Sequence, residues 1–308
     1  LTLSSPKIKG YVIDRAALND FLLARAKEAG ATVWAAAALG YRGKTLNTTA
    51  GPVGFEALVG ADGPVSGVAR WAGLPRPSEL LVGVQARGDA SPGKGDHVEV
   101  FLGRGVAPGF FGWAIPAGEG EVRVGLATDQ GRRAREFLDR LLAARFPQTV
   151  VRERIAGLIP IGPPKQTAFG RVLLVGDAAG QVKPLSGGGL LFGPLCARIA
   201  GQLAAQGPEA LPQYEARWQA ELGEEITFGL QARRAFLELS DQEFDRVLAA
   251  LDRGPLRQFL AEQGDIDRPS QLIGAARSRP RLWLHLLPLL NSLGPGKVRE
   301  LLDRAASP

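Results

Sequence analysis

Asp177 closes the apolar run "RVLLVGDAAG", and three glycines, Gly187, Gly188 and Gly189, then precede a second apolar run. A strand ending at Gly176 would set that carboxylate at the carboxyl edge of a sheet, where open α/β folds bind their ligands. A carboxylate there can accept hydrogen bonds from the hydroxyls of a sugar or sugar alcohol. The glycines would lie ahead of a helix whose first free N–H groups point back to the same edge, and helix N-termini stabilise negative charge. Without Cβ atoms, a planar ring can rest against that backbone. A ligand with a polyol arm and a ring that gains negative charge fits both features. A reduced flavin is such a ligand. The alternative reason for the glycines is tight packing between strand and helix.

A second acidic turn follows the same plan. "LVGADGPVSGVARW" runs from a strand into Asp62-Gly63 and then a short helix. A different chemistry is written in "FFGWAIPAG", where Phe111, Trp113 and Ile115 alternate and so share one face of a strand. That face is either sandwich core or the wall of an apolar substrate site. Cys196, at helical spacing with Phe192 and Ile199, reads as a buried structural thiol. His97 and His285 are too far apart to suggest a zinc site, and no metal site is expected. His97 reads as a sheet-surface residue, His285 as a residue that caps or lines an apolar helix, and Lys183 as a loop lysine in water, the alternative being a contact to flavin or NAD(P)H. No Ser/His/Asp set appears.

The elements that must position these residues alternate in character. After a short β-like run at Tyr11, Asp14 reads as the N-cap of a helix carrying Leu18, Phe21, Leu22 and Ala26, with Gly30 as its C-terminal glycine. "ATVWAAAAL" then predicts a strand, with extended runs around residues 45–50 and 55–59. From Leu80 to Thr128, β-rich runs separated by Gly/Pro turns predict a mostly antiparallel sheet. A helix over Arg132–Phe146 and a transitional stretch, "RERIAGLIPIGPPKQTAFG", lead back to the buried strand before Asp177. Beyond Pro208 the period is helical, with breaks at Gly254-Pro255, Arg268-Pro269, Arg279-Pro280 and Gly294-Pro295. The fold class is therefore α/β: a ligand-binding unit, an inserted mostly antiparallel sheet and a helical C-terminal region.

Composition narrows the partners. The 308 residues, 45% of them hydrophobic, can bury a sizeable core, and 22% charged is ordinary for a globular chain. The net charge of +6 is spread over helix faces beside acids, which does not read as a nucleic-acid stripe. It is compatible with attraction to anionic lipid headgroups. The single cysteine excludes a disulfide framework and suits a reducing compartment, so a cytoplasmic location, peripheral to a membrane, is the expectation. No apolar run approaches the length of a spanning helix. Nothing here bears on oligomeric state.

Three stretches together resemble the FAD-dependent geranylgeranyl reductase family, in the wider group of flavin hydroxylases and halogenases. The resemblance runs from Tyr11 to about Gln206. "YVIDRAALNDFLLARAKEAGA" is similar to the segment whose arginine, here Arg15, reaches FAD. Asp62 and Gly63 match the family's Asp-Gly motif, and "VGDAAGQVKPLSGGGL" matches its Gly-Asp motif, with Asp177 on the flavin's ribitol side. Gly188, Gly189 and Leu190 match the flavin contacts at the helix start, and Leu39 a further FAD backbone contact. "FFGWAIPAG" resembles the reductase pattern of aromatic, Trp and Pro, through Phe111, Trp113 and Pro116, with Phe111 where Tyr is common and Ile115 where Phe is common.

The resemblance implies a Rossmann-like FAD domain with an inserted sheet. It also implies NAD(P)H as electron donor and reduction of C=C bonds in a prenyl lipid. A flavin monooxygenase, or a prenyl-lipid-binding relative without turnover, would share most of these motifs. The division it implies is 1–79 and 156–208 for the FAD domain, 80–155 for the substrate sheet and 209–308 for the helical region. Trp283, Leu286, Leu287 and Leu289 are expected to extend the apolar tunnel or touch the membrane. Nothing before Tyr11 matches the family's opening strand–GxGxxG–helix unit. With Leu at position 1 and no methionine, the chain is expected to be N-terminally incomplete.

Overall fold

The computed structural model describes residues 1–89, 97–118, 120–279 and 281–282. Its first helix, α1 (Arg15–Glu28), starts where Asp14 accepts hydrogen bonds from the Ala16 and Ala17 N–H groups (2.8 and 3.1 Å). It stops at Gly30, whose φ of 93° suits glycine. None of its residues is buried. The strand expected over 31–39 begins only at Ala38. Upstream, Ala31 N–H still bonds the end of α1 at the Ala26 carbonyl (3.0 Å), and Ala37 exchanges hydrogen bonds with Thr49 (3.0 Å each). An extended segment with no further ladder partner does not become a strand. β1 (Ala38–Arg42), β2 (Thr45–Thr48) and β3 (Gly51–Gly54) form a small antiparallel sheet.

β4 (Leu58–Gly60) leads through the Asp62 turn into α2 (Gly67–Trp71). Next come the long β5 (Glu79–Asp89), then β6 (Glu99–Phe101), β7 (Gly112–Pro116) and β8 (Glu121–Thr128), antiparallel as their hairpin spacing predicts. α3 (Ala134–Arg145) packs Phe137, Leu138 and Leu141 on one side of this sheet, against Ala114, Val124 and Leu126. The stretch expected to be transitional is largely a strand. β9 (Val151–Ile161) pairs with β5 from Glu79↔Ile161 to Gly88↔Val151 and completes the order β6-β7-β8-β5-β9. Its charged, mostly exposed residues are those of an edge strand, which hides it from a search for alternation.

β10 (Ala168–Phe169) and β11 (Val172–Leu174) then join β4, with β11 parallel to β4 in the register Val172↔Leu58 and Leu174↔Gly60. The helices α4 (Phe192–Gln206) and α5 (Tyr214–Glu238) cover them, burying Leu203, Tyr214, Trp218 and Leu222 with Leu173. The Ser240–Glu243 capping box begins α6 (Asp241–Leu251), a break without proline or glycine. Gly254-Pro255 open α7 (Gly254–Gln263), and Pro269 precedes α8 (Ser270–Arg277), as expected. Trp283, His285, Leu286, Leu287 and Leu289 lie outside the described residues.

Candidate active site

β4 and β11 run side by side in parallel, so the two acidic turns leave the same carboxyl edge. Val175 N–H donates to the Gly60 carbonyl (3.0 Å), and each chain then departs from the sheet. After β11 the backbone coils through Gly176–Ala179, with Gly176 and Gly180 at φ 62° and 63°. At Gly180 a Cβ would run into the Gly162 carbonyl, so that position tolerates only glycine. A buried amide fixes the turn from beneath. Gln181 Oε1 accepts from the Gly176 N–H (2.9 Å), its Nε2 donates to Tyr214 Oη (3.1 Å), and Tyr214 donates to the Leu174 carbonyl (2.7 Å). The Gly176 N–H, the Gln181 amide, the Tyr214 hydroxyl and the Leu174 carbonyl are thereby satisfied.

The carboxylate that this turn presents is different. Among the described residues, no N–H or O–H donates to the Asp177 carboxylate, although the Gly180 N–H donates to its backbone carbonyl (3.1 Å). Burial pushes its carboxyl above the usual range, and the charge of Arg15 only partly opposes that. The charge of Arg15, itself exposed, thus acts on Asp177 without a hydrogen bond between them. Its approach is set by Ile13, whose carbonyl accepts from Arg123 on β8 (3.2 Å).

Gly189 abuts the carboxylate, since a Cβ there would lie 2.9 Å from Asp177 Oδ1. A Cβ on Gly188 would lie 2.8 Å from Lys183 Cε. No side chain caps the N-terminus of α4, and Leu190 just before it is exposed. An acceptor group with no protein donor, beside bare backbone and an uncapped helix start, fits a ligand with a hydroxylated arm and an electron-accepting ring.

Asp62 behaves otherwise. Its carboxylate accepts from Ser66 Oγ (2.6 Å) and from the Gly67 and Val68 N–H groups (2.7 and 3.1 Å), closing the start of α2. Burial would raise this carboxyl, but those hydrogen bonds outweigh it and hold it below the usual value. Leu39 is exposed on β1, whose Tyr41 packs against the cluster formed by α2 and the end of β11.

The five-stranded sheet has two unlike faces. One is sealed by α3. The other carries Phe111, Trp113 and Ile115, all half-buried, with Phe111 and Trp113 packed against the buried cluster of Leu81, Phe110, Ala127 and Ile161. Trp113 lies flat over Gly125, where a Cβ would fall 2.6 Å from the indole, and its Nε1 donates to Gln85 Oε1 (3.0 Å). Phe111 stacks on Phe110 (centroids 4.3 Å apart, 19° between planes). Pro116 ends β7 and by alternation falls on the opposite face.

The wall reaches the glycine loop at one place. A Cβ on Gly187 would meet Ile159 Cγ2 at 2.9 Å and Phe110 Cζ at 3.5 Å. The loop thus seats itself on the inner end of the aromatic face. At that end Arg233 of α5, almost fully buried, pairs with Glu79 and stacks over Phe110 (5.4 Å).

Two side chains differ from or sharpen their sequence reading. Lys183 is not a loop lysine in water: its side chain is 15% exposed and its Nζ lies 2.5 Å from Asp267. Cys196 is buried in α4 as its spacing predicts, and burial pushes its thiol up to about 12, which leaves it inert as a nucleophile. Gln85, Gln181, Tyr214 and Asp267 belong to the site's framework, yet no local pattern marks them. Each has a partner far away in the chain, Gln181 bonding the nearby Gly176 as well.

The fold and its edge define an α/β protein of the kind used by flavin-dependent enzymes. No protein-family model matches the chain. Digeranylgeranylglycerophospholipid reductase 2 of Methanothermobacter thermautotrophicus is 34% identical over 280 residues, which cover 82% of this chain and 71% of the relative. The enzyme of the same name from Methanopyrus kandleri is 30% identical over 322 residues, 90% and 78% of the two chains.

Among solved structures, a geranylgeranyl bacteriochlorophyll reductase-like protein of Thermoplasma acidophilum has the same fold. Its TM-score is 0.76, at 24% identity, covering 93% of this chain and 78% of that one. The flavin-dependent halogenase CmlS follows at 0.59, 16% identity, and coverages of 90% and 60%. The chain belongs to the digeranylgeranylglycerophospholipid reductase family.

Proposed function

We propose that the chain binds FAD at the β4–β11 edge and reduces C=C bonds of a prenyl lipid of the geranylgeranyl type, with NAD(P)H as the source of electrons. The observation that carries this reading is the half-buried aromatic face running into the glycine loop through Ile159, Phe110 and Gly187. It offers an apolar chain a bed that ends where Asp177 and the uncapped start of α4 await a cofactor. Bound FAD would supply the hydride.

The protein's own contribution is to bind, align and exclude water. Asp177 accepts hydrogen bonds from the ribitol arm, and Gly188, Gly189 and Leu190 give the ring close backbone contact. Arg15, and Leu39 beside the α2 cluster, bound the cofactor from the other side, and Asp62 keeps its turn in shape by capping α2. Phe111, Trp113 and Ile115 hold the alkene in an apolar setting, where competing solvent reactions are suppressed. In this division residues 1–79 and 156–208 hold the cofactor. Residues 80–155 bear the substrate wall, which β9 carries on to Ile161, and the described residues from 209 onward form the helical region. No helix among the described residues is long and apolar enough to cross a membrane, which suits peripheral contact with a lipid substrate.

The test is direct. FAD-loaded protein is reduced with NADPH or NADH without oxygen and mixed with a geranylgeranyl glycerolipid, and the lipid is followed by mass spectrometry. A gain of one H2 per reduced bond is expected. Unchanged lipid with a freely reducible flavin would remove the substrate assignment, and an oxygenated product in air would favour a monooxygenase.

A further inference from the structure

We propose that Lys183 is the cation that stabilises the negative charge the cofactor ring gains on reduction, and that Asp267 sets how strongly it does so. The inference rests on the reading that the glycine loop holds FAD. Lys183 is folded into that loop. Its N–H donates to the Gly188 carbonyl (3.1 Å), and its own carbonyl accepts from Ser186 and Gly187 (3.2 and 2.8 Å). The side chain lies along the bare Cα of Gly188, where a Cβ would sit 2.8 Å from Cε and 3.3 Å from Nζ. The next bare position, Gly189, faces Asp177. A fixed positive charge thus flanks the loop on one side and the half-buried carboxylate flanks it on the other.

The setting makes that charge count. Lys183 lines a cavity of about 110 Å³ with Pro184, Ser186, Glu225 and Ile266. Ser186 Oγ is buried there without a partner among the described residues. Glu225 is engaged elsewhere, accepting from the N–H and Oγ of Ser270 (3.1 and 2.6 Å). The Lys183 side chain is only 15% exposed, against 44% for Asp267, so its field is screened less than that of a surface lysine. Its counter-charge is Asp267 at 2.5 Å, on the turn before α8 where Asp265 accepts from the Asp267 N–H (2.7 Å). Lys183 and Asp267 together are neutral. Removing one leaves the other's sign beside the loop.

Opposite signs are therefore expected from the two single substitutions. The readout is the midpoint potential of bound FAD, measured in equilibrium with a reference dye. Lys183→Gln should make the flavin harder to reduce, by about tenfold in the reduction equilibrium, or about 30 mV for a two-electron couple. Asp267→Asn should make it easier to reduce, and the double variant should return close to the starting potential. Lys183→Arg keeps the charge and should keep the potential.

FAD retention on gel filtration and thermal melting are followed in parallel. If the pair is only a staple between the loop and the helical region, both single variants lose stability together with potentials unmoved or moved in one direction. That outcome overturns the proposal, as does an Arg variant that shifts like the Gln variant. Unsubstituted protein that retains no FAD instead overturns the cofactor reading on which the proposal rests.

Discussion

Replacing Asp177 with asparagine separates what this carboxylate costs the fold from what it gives a ligand. Its charge is partly buried, receives no hydrogen bond from the described residues, and is pushed above its ordinary value of 3.8 by burial, with Arg15 opposing. At neutral pH the ionised form therefore works against folding, and a neutral side chain of the same shape relieves that. Cofactor-free Asp177→Asn should melt higher than cofactor-free parent protein. FAD binding should move the other way. One lost hydrogen bond to a charged group is worth ~1.5–3 kcal/mol, roughly ten- to 150-fold in Kd.

The pH dependence has a definite sign. Between 3.8 and the raised folded value, the folded state holds the proton more tightly than the unfolded state, so stability increases as pH falls across that window. The melting advantage of the variant is thus largest at neutral pH and disappears on acidification. Differential scanning fluorimetry over a pH series and a flavin fluorescence titration measure both effects. A cofactor-free variant that melts lower at neutral pH, or one with undiminished affinity for FAD, would refute the reasoning.

Three other perturbations test the remaining parts. Trp113→Ala removes a half-buried ring, so it should cost about half of the ~3–5 kcal/mol of a core Trp, with flavin retention and flavin reduction intact and prenyl reduction largely lost; equal loss of both half-reactions would make the wall merely structural. Gly189→Val drives a side chain onto Asp177 Oδ1, whereas Gly188→Val meets the flexible end of Lys183, so FAD retention should suffer more at 189, and the reverse order contradicts the geometry. Asp62→Ala leaves Ser66 to cap Ala69 but takes the acceptor from Ser66 Oγ and from the Gly67 and Val68 N–H groups, and should lower stability by ~1–2 kcal/mol in urea unfolding at pH 7. Because the Asp62 carboxyl is held below 3.8, its contribution is present above that pH and fades as pH falls through the folded value; equal midpoints at pH 7 would show that the cap carries no weight.

Features whose cause is local were legible in the sequence. Asp14 and Gly30 bound α1 because a side-chain cap and a left-handed glycine act within one turn. The hairpin spacing between Leu80 and Thr128 gave an antiparallel sheet, and alternation put Phe111, Trp113 and Ile115 on one face. The acidic turn at Asp177 and the glycines after it were visible because their demand on the backbone is written into residue type.

Tertiary structure decided whatever depends on a distant partner. Ala31–Ala37 reads as a strand from its extended, apolar character, but Thr32–Ala36 finds no neighbour to bond. β9, with poor alternation, is a strand because β5 offers it a full ladder. Asp62 and Asp177 follow similar strands, yet one is consumed in capping its own helix and the other is left without a donor. Lys183 is withdrawn from water only because the turn before α8 brings Asp267 to it. The sequence could name the residues able to carry charge or an apolar chain. Their protonation, exposure and mutual reach follow from packing between segments far apart in the chain, and no local pattern encodes that.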